Sequence, residues 1–144
     1  LMLLLADKLQ TGETLAIAQI AMKPPADLKD VPNLATTADK PEARAAFADG
    51  AHAVAHQLAA GAVSNLRGSF LPAHEGEWVN AVRERVDELR LMSLELASLS
   101  SSALGAEHHA VRFADGAVRR APVRESAHRC RMTAGYRVLQ IILT

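Results

Sequence analysis

HEGEWVNAVRERVDELRLMSLELASLSSSALG, residues 74–105, decides the fold. Within it Val82, Val86, Leu89, Met92, Leu96, Leu99 and Ala103 follow one another at intervals of four, three, three, four, three and four. That spacing gathers all seven on one face of an α-helix. Glu75 and Glu77 stand at its start, where negative charge suits the helix dipole, and Gly105 stands where a C-terminal cap belongs. Arg83, Asp87 and Arg90 fall on the solvated side. The serines at 98, 100, 101 and 102 read as a polar flank and a fraying end.

Downstream, residues 106–120 form a second helix with Ala110, Phe113, Ala114 and Ala117 inward and Arg112, Asp115 and Arg119 outward. Gly116 inside it loses about 1 kcal/mol of helix propensity relative to Ala, which is tolerable where another helix approaches closely. Ala121-Pro122 makes the turn and opens a final helix whose stripe is Val123, Ala127, Cys130, Ala134, Val138 and Ile141. Upstream, Pro41 opens a helix carrying Phe47, Ala51, Val54, Leu58 and Ala62 on one face, with Gly61 and Asn65 weakening its end. Residues 1–22 read as helix in pieces. Residues 23–41 hold four of the six prolines and read as a linker. The chain therefore divides into a poorly defined N-terminal helical element with its linker, 1–41, and a helical domain, 42–144.

Composition agrees with helices. Of 144 residues, 49% are hydrophobic, and alanine and leucine, both strong helix formers, dominate that set. The expected fold is all-α, antiparallel helical hairpins in a tetratricopeptide-like array. Pro122 takes the place of the repeat-ending proline, and Ala110 and Ala117 take the two small positions of the second helix.

The formal net charge of zero hides an acidic, lysine-bearing start and an arginine-only remainder. Neutrality argues against a module that grips DNA by itself. One cysteine excludes a disulfide framework and a Cys-rich zinc site, and it points to a reducing, cytoplasmic setting. The apolar run 1–6 is far short of the ~20 residues that span a membrane. Because the chain begins at Leu1 and ends on Ile141-Ile142-Leu143-Thr144 without a stop signal, it reads as a truncated piece.

Leu66-Arg67-Gly68-Ser69-Phe70-Leu71-Pro72, followed by Glu77-Trp78-Val79, Arg83, Val86 and Leu89, resembles a segment of the bacterial transcriptional activator domain. That domain is the helical module of SARP/AfsR-type regulators. A second stretch is similar to the same family in register: Ala114, Ala117-Val118, Ala121-Pro122, Arg124-Glu125, Ala127-His128-Arg129, Met132 and Ala134. The resemblance covers about 44–139 and marks Gly68, Trp78, Arg83, Ala117, Pro122, Arg124 and Glu125 as architectural positions. Trp78, with Phe70 and Leu71 under it, is expected to close the end of the bundle, and Arg124 and Glu125 to tie the last helix to the preceding hairpin.

The departures are specific. Residues 1–43 do not resemble the family's winged-helix domain, and the hairpin before Leu66 reads as shortened. Arg131 stands where the family has an apolar residue, and the chain stops before a final repeat.

What the resemblance implies is a regulatory domain that works through protein partners: self-association, RNA polymerase or other domains of a regulator. DNA would be reached only through a domain absent from this chain. The alternative is a stand-alone tetratricopeptide-like adaptor with no transcriptional role. The segment 107–144 carries seven arginines against three acids, and Arg112, Arg119, Arg120 and Arg129 form its candidate interaction patch.

His52 and His56, with Asp49 one turn earlier, have a spacing that can hold a metal, but no third ligand or following glutamate completes it. Adjacent His108 and His109 point to different sides of a helix. Cys130 falls on an apolar stripe and reads as a small buried side chain. No phosphate loop, nucleophile elbow or carboxylate pair is present, so neither a cofactor nor an enzymatic activity is expected.

Overall fold

The computed structural model describes residues 41–144, so the readings made of residues 1–40 lie outside the described residues. Five helices follow in order: α1 (Pro41–Ala48), α2 (His52–Asn65), α3 (Glu77–Ala103), α4 (Glu107–Arg120) and α5 (Glu125–Leu143). Their directions follow from cross-helix contacts. His56 meets Ser101 at one end of the α2–α3 pair and the Leu66 carbonyl meets Arg90 at the other, so the two run antiparallel. Ser98 Oγ donates to the Ala110 carbonyl at 2.9 Å and Ser102 Oγ to Glu107 at 3.0 Å, closing the α3–α4 hairpin. Helix α5 runs antiparallel to α4, with Arg131 against Asp115 and Arg137 against Glu107. It runs parallel to α3, with Arg124 on Glu88 and Arg137 on the Ser102 carbonyl. The result is an all-α, antiparallel array of the tetratricopeptide-like kind, with α3 packed by α2, α4 and α5.

The expected face of α3 holds in its first half, where Val82, Val86 and Leu89 are buried together with Val79. These join Leu66 and Phe70 in one core cluster, against which Leu71 and Trp78 pack. Beyond Arg90 the buried face turns. Ser93, Leu94, Ala97, Ser98, Ser100, Ser101 and Ser102 are buried, Met92, Leu96 and Leu99 are only half-buried, and Ala103 is exposed. The serines are thus a tightly packed seam rather than a fraying end. Three neighbouring helices crowd this half of α3, and small side chains allow close approach. Each hydroxyl is satisfied: Ser93 and Ser100 bond back into their own helix, and Ser98, Ser101 and Ser102 bond across to α4 and α2. The opposing faces are equally small, with Ala55, Ala59 and Ala62 on α2, Ala110, Ala114 and Ala117 on α4, and Ala127 and Ala134 on α5. A buried methyl contributes only about 0.8 kcal/mol of transfer free energy, so these helices gain chiefly through close packing.

Two boundaries differ from expectation. The stripe from Phe47 to Ala62 is carried by two helices, because Gly50 takes φ +81° and breaks the chain between α1 and α2. The hairpin ahead of Leu66 is therefore a pair of helices, and Val54 turns outward. The last helix opens at Glu125 rather than Pro122, which leaves Val123 in the turn and almost fully exposed. At its far end Ile141 also points outward.

Candidate interaction surface

Trp78, Arg83 and Gly68 meet at the α2–α3 connection. Trp78 starts α3 and sets its ring edge-on to Phe70, with centroids 6.4 Å apart. Arg83, one and a half turns later, reaches back over the connection: Nε donates to the Phe70 carbonyl at 2.9 Å, and Nη2 to the carbonyls of Leu71 and His74. Arg90, two turns further along, holds the other end by donating to the carbonyls of Leu66 and Gly68 while pairing with Asp87 at 2.8 Å. The helical spacing places both arginines on the solvated side, yet Arg90 is buried and Arg83 half-buried. Burial lowers the Arg90 pKa, with Arg120 nearby adding to the effect and Asp87 opposing it. Gly68 has φ +81°, a left-handed conformation that an L side chain rarely adopts.

The second group clamps α5. Arg124, immediately before the helix, donates through Nη1 to both oxygens of Glu88 at 2.9 and 2.7 Å, and through Nε to Glu95 at 2.9 Å. Ser126 donates to the same Glu95 oxygen at 2.6 Å. The hydrogen bond to Glu88 is the main cause that raises the Arg124 pKa. Glu125 pairs with Arg129 on the exposed side of α5 rather than with the hairpin. Pro122 lies in the turn and its carbonyl bonds the His128 ring at 2.6 Å. Ala117 is fully buried beside Leu94 and Ala127.

The four candidate patch arginines do not form one group. Arg112 and Arg119 lie on the outer side of α4 and line one groove of about 520 Å³, together with His109. Arg120 stands 4.0 Å from Asp87, and Arg129 belongs to α5. Arg131, the position where an apolar residue was expected, is exposed and pairs with Asp115 at 2.6 Å, so its charge needs no burial.

His52 and His56 do not converge. His52 packs on Phe47, with ring centroids 5.0 Å apart, whereas His56 bonds Ser101 and lies edge-on to Phe113. Among the described residues no group of three or more His, Cys, Asp or Glu could hold a metal ion. Cys130 is buried, and burial pushes its thiol up. No helix of the described residues is long and apolar enough to cross a membrane.

A second groove of about 480 Å³ runs between α4 and α5, floored by Val111, Met132, Gly135 and Tyr136. It adjoins an outward stripe on α5 that the sequence reading missed: Met132, Tyr136, Leu139 and Leu143. Their four, three, four spacing stands in the sequence beside that of the inner stripe.

No curated protein and no solved structure is significantly similar to the chain. A family model does match, that of the bacterial transcriptional activator domain, over residues 34–140, which includes all but the last few residues of the helical array. The helical array lies almost wholly inside that match, and the chain belongs to the bacterial transcriptional activator domain family, the helical module of SARP/AfsR-type regulators.

Proposed function

We propose that the chain is the regulatory arm of a SARP/AfsR-type transcriptional regulator, working in the cytoplasm through contacts with protein partners. Its partners are a second copy of itself, RNA polymerase or other domains of the regulator, and DNA is read by a domain outside this chain. It performs no catalysis. The observation that carries this reading is the family match over most of the chain, which supports a helical module built for contact rather than chemistry.

The test is a reporter assay with the complete regulator. Removing residues 41–144, or loosening α5 with Arg124→Ala, should abolish activation while DNA binding by the remaining domain persists. The reading frame upstream of residue 1 should encode a winged helix. An unrelated domain there, with activation independent of this module, overturns the proposal and leaves the adaptor reading in its place.

A further inference from the structure

Helix α5 is apolar on two opposite sides. Its inner side buries Ala127, Cys130 and Ala134 against α3 and α4. On the other side Met132, Tyr136, Leu139 and Leu143 are 75, 63, 57 and 84% exposed. A helix that is apolar all round belongs in an interior, and single exposed hydrophobics need no such account. Here they are not single: of the nine large exposed hydrophobics among the described residues, six fall between Met132 and Leu143.

Charge narrows what covers them. All three carboxylates of α4 and α5 are taken by arginines: Glu107 by Arg137, Asp115 by Arg131 and Glu125 by Arg129. Arg112 and Arg119 stand exposed on α4 with no ion-pair partner among the described residues, and Arg112 follows directly on Val111 of the groove floor. Arg131 and His128 rim that groove. Arg112 and Arg119 line the neighbouring groove, which Asp115 shares, and over α4 and α5 together six arginines stand against three carboxylates, so the charge left over on these two helices is positive.

We propose that the outer side of α5 and the α4–α5 groove dock an acidic amphipathic helix of a protein partner. Its apolar side chains, one turn apart, lie along the Met132–Leu139 stripe and in the groove, and its flanking carboxylates face Arg112, Arg119 and the rim. This rests on the regulatory-arm reading above and adds the surface and the class of partner. A second copy laid stripe to stripe brings like charge together. Nucleic acid matches the arginines but leaves the apolar stripe uncovered.

The experiment measures fluorescence anisotropy of a labelled synthetic peptide on the 144-residue chain. The peptide has leucines at i, i+3, i+4 and i+7 with glutamates on both flanks; a scrambled version and a lysine-flanked version are the controls. The acidic peptide should bind, and each control should bind at least about tenfold more weakly. Leu139→Glu and Tyr136→Glu should weaken binding by about tenfold or more with an unchanged circular dichroism spectrum and unfolding midpoint. Arg112→Glu with Arg119→Glu should weaken it and flatten its salt dependence.

No binding, equal binding of the scrambled peptide, or full binding by Leu139→Glu overturns the proposal. So does light scattering that shows Leu139→Glu converting a dimer to a monomer, or duplex DNA binding lost in the same variants. If Leu139→Glu is silent while removal of the whole module still abolishes reporter activation, the surface fails and the regulatory reading stands. A peptide result that holds beside an upstream frame with no DNA-binding domain has the opposite meaning.

Discussion

Arg124 and Glu95 meet across the α3–α5 interface, with Nε 2.9 Å from Oε1, while the same guanidinium spans both oxygens of Glu88 two turns earlier on α3. One residue at the mouth of α5 therefore fixes the helix against two points of its neighbour. Arg124 is about a third exposed but Glu95 is largely covered, so removing the guanidinium leaves a carboxylate out of full solvent with its charge unpaired and only the Ser126 hydroxyl donating to it. Arg124→Ala should cost about 2–3 kcal/mol in urea unfolding. Arg124→Lys keeps the charge and loses the fork, and should recover less than half of that. A loss under about 0.5 kcal/mol for the alanine variant, the size of an ordinary surface pair, sinks the clamp as a stabilising device.

The α2–α3 connection is held by carbonyls that only arginine reaches. Arg90 is buried and serves the Leu66 and Gly68 carbonyls at once, so Arg90→Ala should cost about 2–4 kcal/mol through unpaired acceptors and a cavity. Arg90→Lys should not rescue it, because a single ammonium cannot reproduce the two-point geometry. Gly68→Ala, in a left-handed conformation with open space around its Cβ, should cost only the backbone term of about 1–2 kcal/mol. Thermal unfolding of the three variants checks the order, and an Arg90→Lys protein as stable as the parent contradicts it.

Gly116 and Leu94 make a second, purely steric pair. A Cβ built on Gly116 lies 3.3 Å from Leu94 Cδ2, tighter than ordinary contact but against the far end of a flexible side chain. Gly116→Ala gains about 1 kcal/mol of helix propensity and loses a comparable part of it to the contact, so its net effect should stay within about 0.5 kcal/mol. Gly116→Val should cost about 1–3 kcal/mol. Placed on Leu94→Ala, which opens the space, Gly116→Ala should instead stabilise by about 1 kcal/mol. The four-corner cycle measured in urea isolates the coupling, and additivity of the two changes would show that the helices are not in contact there.

Much of this was legible in the residues. The 3.6-residue period gave six of the buried positions on α4 and α5, namely Ala110, Ala114, Ala117, Ala127, Cys130 and Ala134, and the cost of Gly116 implied the close neighbour that Leu94 supplies. What was not legible has one physical cause in two forms. Ser98, Ser101 and Ser102 look solvated on any hydropathy reading, and only their partners at Ala110, His56 and Glu107 make them interior. Arg83 and Arg90 look like surface charge, and only the carbonyls of a folded connection give them work. Polar residues report their environment through tertiary partners, which one-dimensional spacing does not contain. The outer stripe of α5 is the reverse case: its spacing was plain, but a helix with two apolar sides has no unique inward face until its neighbours are placed.

Cys130 gives α5 a titratable marker of its own docking. The thiol is buried with its sulfur 4.0 Å from the Glu95 carbonyl, and burial, reinforced by the Glu95 charge, raises its pKa. In the unfolded chain the thiol ionises near about 8.5, whereas in the folded chain it stays protonated to higher pH. Between those two values the unfolded state binds fewer protons, so stability falls as pH rises, by at most about 1.4 kcal/mol per unit. Below about pH 7 the thiol is essentially neutral in both states and contributes no slope. Cys130→Ala removes the contribution, so its stability should approach that of the parent protein as urea midpoints are compared at pH 7.5 and then 9.5. The gap between the two should narrow over that interval. A gap that stays constant would mean the thiol titrates alike in both states, and that α5 stands away from α3 in solution.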